Sequence, residues 1–261
     1  MKLPINNVVV KKTKRSWLGL GKETSSYVPA AVPEANCSIV SVGLGGQVDF
    51  ETGMARLGCH VFAYDPTEEL IPLHAAWAAA TPGVQFQPYG LGPPQHKVRY
   101  VPPPTRYGTV PSGRKLTLEA MIAAAERAAG KVDILKFDCT GCEWEVMEDL
   151  MERTPALLAR VTSQLFFEWH AVPKYDARAS TLTNMLSHIR SHGFSLFHSH
   201  VTAGWKQDQH QALPELVAAG WNKRDCCMEL HFRKTQALAR ATTRFRGGEA
   251  SRSRIRTRSS A

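Results

Sequence analysis

Three polar residues stand where buried-looking runs of the chain stop. Asp138 closes "VDILKFD" and is followed by a turn containing Gly141, while Glu168 and His170 close "VTSQLFFEWH". Two residues apart on an extended chain, Glu168 and His170 share one side. A carboxylate at the carboxyl end of an apolar strand faces whatever ligand lies off that end; the structural alternative for Asp138 is a helix N-cap. A histidine near such a tip can serve as general base at neutral pH, and a histidine satisfied by a backbone carbonyl is the alternative. Asp138, Glu168 and His170 could instead ligate a divalent ion. No ligand spacing local in sequence supports that, so no metal is expected. "HIRSH" (188 to 192) and "HSH" (198 to 200) read as solvated or packed histidines, and Cys139-x-x-Cys142, with no second such pair, as a turn that holds two thiols.

A second group lies upstream. In "SIVSVGLGGQVDFE" (38 to 51) a β-forming run enters Gly43-Leu44-Gly45-Gly46 and then helix-compatible sequence. Backbone without Cβ can approach a ligand closely and open a helix at once. About twenty residues on, Asp65 ends "HVFAYD", where a carboxylate can accept ribose hydroxyls. Dinucleotide enzymes use the same pair, but their third glycine would fall at Val48, which disfavours a pyrophosphate and an NAD-dependent oxidoreductase. A ligand with ribose and adenine but no phosphates fits better, and S-adenosyl-L-methionine is such a ligand.

These residues need a scaffold that gathers strand ends. Seven β-branched or aromatic runs, at 37 to 43, 60 to 65, 84 to 90, 132 to 138, 161 to 170, 194 to 200 and 226 to 234, alternate with helical patterns. That alternation predicts right-handed crossovers and a mostly parallel, doubly wound α/β sheet with helices on both faces. Leu118, Met121, Ile122 and Ala125 mark one helix face between an N-cap at Thr117 and a stop at Gly130; Leu182, Met185, Leu186 and Ile189 mark another that ends at Gly193. In "EWEVMEDLMER" Trp144, Met147, Leu150 and Met151 point inward, with Glu145, Glu148, Asp149 and Glu152 outward. The proline-rich stretch 88 to 114 predicts a long loop around an edge strand "KVRYV".

At 261 residues and 43% hydrophobic content the chain can bury a full core. The net charge of +9 is uneven: residues 1 to 23 carry six Lys/Arg and one Glu, residues 233 to 261 carry nine and one, and the body between them nets −4. The Arg/Ser-rich end is expected to be disordered; it could screen phosphates, so nucleic acid is a possible partner through the tail, while the acidic body argues against a basic groove. Six cysteines are too sparse for a disulfide scaffold, which predicts reduced thiols and a reducing compartment, cytoplasmic or nuclear. No window is long and apolar enough to span a membrane, and the first residues lack the apolar core of a signal peptide.

"VSVGLGGQVDFE", "HVFAYDPT", "QPYGLG", "LTLEAMI", "LKFDCTGCEWEVM" and "FEWH", in this order over residues 36 to 232, resemble the FkbM-type class I S-adenosylmethionine-dependent methyltransferases and related eukaryotic methyltransferase-like proteins. The resemblance implies a Rossmann-like seven-stranded sheet with an antiparallel last strand, "CCMELHF", and methyl transfer to oxygen. It implies that Gly43, Gly45 and Gly46 line the methionine and ribose, Asp65 and Pro66 the ribose, Gly90 and Leu91 the adenine side, and that Asp138 lies near the sulfonium and the acceptor. One departure stands out: the family's Asp-x-Glu-Gly-x-Glu has Thr140 at its first Glu, while Asp138, Gly141 and Glu143 match. The expected organisation is a basic extension over 1–30, a methyltransferase domain over 31–234 and a basic tail over 235–261. The expected activity is O-methylation of a hydroxyl or carboxyl acceptor by Asp138, Glu168 and His170; the rival from another class is a catalytically silent nucleotide-binding or interaction module.

Overall fold

The central strand-forming runs, 38–42, 60–64 and 132–137, are buried on both faces along nearly their whole length, the pattern of strands covered by helices above and below. A computed structural model describes residues 36–92, 114–170, 179–201 and 227–235. The 1–30 extension, the expected edge strand "KVRYV" and the tail beyond Thr235 lie outside the described residues. The strands are β1 (Ser38–Val42), β2 (His60–Tyr64), β3 (Val84–Gln87), β4 (Gly90–Leu91), β5 (Lys115–Leu116), β6 (Val132–Phe137), β7 (Val161–His170), β8 (Phe194–Val201) and β9 (Cys227–Lys234). The helices are α1 (Asp49–Arg56), α2 (Ile71–Ala80), α3 (Leu118–Ala129), α4 (Cys142–Arg153) and α5 (Ala179–Ser191).

Seven strands form a sheet of order β3-β2-β1-β6-β7-β9-β8. β1 pairs parallel with both β2 and β6, and β6 with β7, whereas β9 runs antiparallel to β7 and β8. The expected α/β plan with a reversed last strand is therefore the one adopted. The order reverses between β1 and β6, so the crevice off their carboxyl ends is the topological switch point where an open α/β sheet takes its ligand.

Alternate strand residues feed two cores. Val40, Val42, Phe62, Leu135, Phe137 and Phe167 pack under α3, α4 and α5, while Ile39, Val61, Ala63, Ile134 and Phe166 pack under α1 and α2. The expected caps of α3 form: Thr117 accepts the Ala120 N–H at 3.2 Å, and Gly130 adopts φ +79°. The inward face of α4 is as expected at Trp144, Met147 and Leu150, with Met151 half-buried. One run divides. Pro88 has no N–H to continue the ladder, so β3 ends at Gln87, and Gly90–Leu91 pairs instead with Lys115–Leu116 in a separate two-stranded sheet.

The cysteines depart from expectation. Cys37 and Cys59 form a disulfide, as do Cys139 and Cys142. The reason is register: Ser38 pairs with His60 in the parallel β1–β2 ladder, which sets the preceding residues Cys37 and Cys59 side by side with Cα atoms 4.4 Å apart. Thiols paired in this way do not point to a reducing compartment. Among the described residues no helix is long and apolar enough to cross a membrane.

Candidate active site

The glycine turn leaves β1 under tight steric control. Gly43 has φ +78°, and a Cβ built on it would lie 1.7 Å from the Asp138 carbonyl oxygen. No side chain fits there, so this glycine brings the β1 turn into backbone contact with the tip of β6. The Gly43 N–H donates to Tyr64 O (2.9 Å) and the Asp138 N–H to Val42 O (2.9 Å), tying the tips of β1, β2 and β6 together. His74 on α2, fully buried, donates from Nε2 to Gly45 O at 3.0 Å and fixes the turn from behind.

Asp65 follows β2 and is 3% exposed. Its Oδ2 accepts the N–H groups of Leu44 (2.9 Å) and Gly45 (2.8 Å), and its Oδ1 that of Thr67 (2.9 Å). A carboxylate has about four acceptor positions. Three are taken by the backbone of this turn, which leaves one for a ligand hydroxyl. Asp65 is thus both the clamp of the glycine turn and a ribose acceptor of reduced capacity.

Beneath the turn lies a buried cation that sequence reasoning did not single out. Lys136, mid-strand in β6 and 3% exposed, donates from Nζ to Gly43 O (3.3 Å) and pairs with Glu51 Oε1 on α1 (3.2 Å). Ser41 Oγ donates to the same Glu51 oxygen at 2.6 Å. Burial pulls the Lys136 pKa down, but Glu51, Asp138 and Glu168 outweigh it and raise it, so the ammonium persists. A lysine set among Ile134, Leu135 and Phe137 was the available signal.

Asp138, Glu168 and His170 do come together. His170, 2% exposed, ends β7; its Nδ1 lies 3.1 Å from Glu143 Oε1 and its Nε2 3.9 Å from Asp138 Oδ1. Glu143, fully buried at the start of α4, also accepts the N–H groups of Cys139 (2.9 Å) and Gly141 (2.7 Å). It therefore holds the β6–α4 turn and the imidazole together. That turn is strained: Thr140 sits at φ +56°, a left-handed conformation costly for a β-branched residue and concentrated at functional sites. Glu168 is 5% exposed, and burial first, then the neighbouring Asp138, raises its pKa well above the ordinary carboxyl range. The Asp138 side chain retains 24% exposure and is the member of the cluster that opens to solvent.

Two expected roles change with this geometry. His170 was the expected general base, but its ring is enclosed, with Nδ1 on Glu143 and Nε2 toward Asp138. Burial lowers its pKa, and the carboxylates of Glu143, Glu168 and Asp138 outweigh that and raise it to about 9. A group that already holds its proton at neutral pH is a poor acceptor. Leu91 was expected on the adenine side, yet it is 2% exposed and packed in the core with Val42 and Tyr64. Its neighbour Gly90 does lie beside Pro66, whose Cγ would be 3.0 Å from a Cβ at Gly90. Gly46 is buried within the turn. The distribution of backbone around Gly43, Gly45, Asp65 and Pro66 suits a nucleoside-bearing cofactor such as S-adenosyl-L-methionine: close backbone approach and a remaining carboxylate acceptor.

The fold is similar to that of the N-methyltransferase NodS from Bradyrhizobium japonicum WM9 (10% identity, TM-score 0.37, 77% of this chain and 85% of that one). It is also similar to an rRNA methylase from Streptococcus thermophilus (10% identity, TM-score 0.40, 78% and 90%). A third similar structure is fibrillarin from Aeropyrum pernix in complex with S-adenosyl-L-methionine (8% identity, TM-score 0.40, 77% and 67%). No curated protein matches the chain in sequence. Residues 27–212, more than half of the chain, match the family model Methyltransf_22, described as a methyltransferase domain, and the chain belongs to that family.

Proposed function

We propose that the chain is an S-adenosyl-L-methionine-dependent methyltransferase that methylates oxygen in a hydroxyl or carboxyl acceptor. The observation that carries this reading is the contact of the β1 glycine turn with the Asp138 backbone at the switch point, which puts the partly exposed Asp138 carboxylate beside the cofactor turn. Gly43 and Gly45 offer close backbone approach, Asp65 its remaining acceptor position, and Gly90 with Pro66 the wall beyond the ribose. S-adenosyl-L-methionine supplies an already activated methyl group, so the protein's share is placement and proton handling.

Asp138 takes that proton: the acceptor's O–H bond breaks and the proton moves to an Asp138 carboxylate oxygen. His170 and Glu143 act behind it. The imidazolium faces Asp138 across 3.9 Å, and Glu143 holds both the imidazole and the turn that carries Asp138. The absence of an acid-Pro-Pro-aromatic run after β6, where Asp138-Cys139-Thr140-Gly141 stands, favours oxygen over an exocyclic nitrogen. The ordered motifs support an FkbM-type kinship within the family, and a catalytic body over 31–234 with basic extensions at both ends.

Calorimetric titration with S-adenosyl-L-methionine, S-adenosylhomocysteine and NAD tests the cofactor: heat with the first two and none with the third is expected, and no response to the first two overturns the reading. Asp138→Asn is expected to lower kcat by about 10²- to 10⁴-fold with S-adenosylhomocysteine affinity retained. Unchanged transfer to a hydroxyl-bearing acceptor mixture would remove Asp138 from its role.

A further inference from the structure

Asn36-Cys37-Ser38 has the form Asn-x-Ser, with an x that is not proline, and of the chain's five asparagines it is the only one followed two residues on by Ser or Thr. That spacing is what an asparagine needs to accept an N-linked oligosaccharide. Asn36 is exposed and turns into β1 at φ +69°. Asparagine tolerates that left-handed backbone, so conformation alone accounts for its type but not for its neighbours. Cys37 is fully buried and closed on Cys59. Ser38 is fully buried too: its N–H donates to Asp133 Oδ2 (2.9 Å) and its hydroxyl to Lys131 O. Within the tripeptide, the residue that would carry a sugar is the one that reaches solvent. Its place in the fold also suits a bulky polar group. The five residues of β1, rising about 3.3 Å each, put about 16 Å between this turn and the Gly43 turn, so Asn36 lies at the end of the sheet opposite the ligand crevice. The disulfides supply an independent observation. Cys37–Cys59 and Cys139–Cys142 are bonds of the kind that form and persist in the oxidising compartments of the secretory route, where asparagines of this type are glycosylated.

We propose that Asn36 is an N-glycosylation site, filled in an oxidising secretory compartment from a polyprenyl-pyrophosphate-linked oligosaccharide. Asn36 Nδ2 forms a bond to C1 of the reducing-end sugar, and the C1–O bond to the lipid pyrophosphate breaks. The leaving pyrophosphate departs with that electron pair, and the amide gives up one proton. The structure also sets the order of events. A transferase that selects Asn-x-Ser has to reach the Ser38 hydroxyl, which in the folded chain is enclosed and bonded to Lys131 O. Transfer therefore precedes the docking of β1 between β2 and β6 and the closing of Cys37 on Cys59, and the folded chain is no longer a substrate. Once β1 has docked, the sugar projects from the exposed turn without displacing any core residue. Neither the site nor its filling rests on the proposed methyl transfer.

The test starts from the full chain as recovered from the cells that make it. Treatment with peptide-N-glycosidase in H₂¹⁸O is expected to lower the mass of the intact chain in a single step and to leave an ¹⁸O-labelled carboxylate at position 36, read by peptide mass spectrometry. Recovery of that peptide with only an unmodified amide overturns the proposal. Asn36→Asp, which keeps a residue tolerant of the left-handed turn, and Ser38→Ala, which keeps the asparagine, are both expected to abolish the mass step; a step that survives either substitution overturns the site. Alkylation of the wild-type chain without reductant is expected to leave Cys37 and Cys59 unlabelled, and labelling of both would remove the oxidising compartment and the proposal with it. A last arm needs no substitution and no cell. Offered to microsomal membranes with the lipid-linked oligosaccharide, the reduced and unfolded full chain should take up one oligosaccharide and the folded, disulfide-closed chain none. An unfolded chain that takes up none overturns the site, and a folded chain that is modified as readily overturns the order of events.

Discussion

At the scale of single residues, the positions that chemistry needs and those that sterics need coincide at Gly43. Gly43→Ala would drive a Cβ to 1.7 Å from the Asp138 carbonyl at φ +78°. The expected result is a stability loss on the order of 3 kcal/mol or more by denaturant unfolding, with loss of S-adenosylhomocysteine binding, because the turn and Asp138 must separate. Gly58 is the control: its φ is +90° but nothing lies within 4 Å of an added Cβ, so Gly58→Ala should cost about 1 kcal/mol and leave ligand binding intact. Equal losses at both sites would show that backbone conformation alone, not the contact with β6, makes Gly43 necessary. Asp65→Ala belongs at this scale too. It strips three N–H groups of their acceptor, so it should lower both stability and cofactor affinity, whereas a purely ligand-facing Asp would lower affinity alone. Asp138, Glu168 and His170 were legible because each ends an apolar run. The enclosure of His170 was not, since its partner Glu143 comes from the preceding helix, 27 positions away, and its match to the turn motif does not say which strand tip it meets.

At the scale of elements, the strands were legible and their cross-links were not. A run of buried β-formers declares itself, and so does a capped amphipathic helix such as α3. α2, "IPLHAAWAAA", is apolar on nearly every side and shows no such face. The pairing of Lys136 on β6 with Glu51 on α1 spans 85 positions that only the parallel sheet brings together. That pair couples the two elements flanking the glycine turn. Lys136→Met leaves Glu51 and the Gly43 carbonyl buried without their cation and should cost about 3 to 5 kcal/mol. Adding Glu51→Gln should recover part of that cost, since the uncompensated charge goes too. Chemical denaturation of both single variants and the double variant gives the coupling; strictly additive losses would mean the ion pair does not tie α1 to β6.

At the scale of the whole molecule, charge and fold are divided along the chain. The α/β plan follows from alternating strands and helices, but the place of the site follows from sheet order, and order is a property of crossovers that no local pattern records. What the sequence does record is where the basicity lies. β9 finishes at Lys234, and Thr235 anchors that end by donating from its N–H (2.8 Å) and its hydroxyl (3.0 Å) to Gly193 O. A chain cut after Thr235 keeps this anchor and loses seven arginines and one glutamate. If the last residues serve only to attract phosphates, this truncation should leave S-adenosylhomocysteine affinity and the unfolding midpoint unchanged. It should also weaken retention of single-stranded RNA, with the slope of log affinity against log salt flattened by up to about 5, since each neutralised phosphate of a single strand contributes about 0.7. A cut before Arg233 removes part of β9 and its hydrogen bonds to β7 and β8, so it should lower stability as well. Cofactor binding lost in the shorter truncation would place the boundary of the catalytic body beyond residue 234. An unchanged salt slope would remove RNA as the tail's partner.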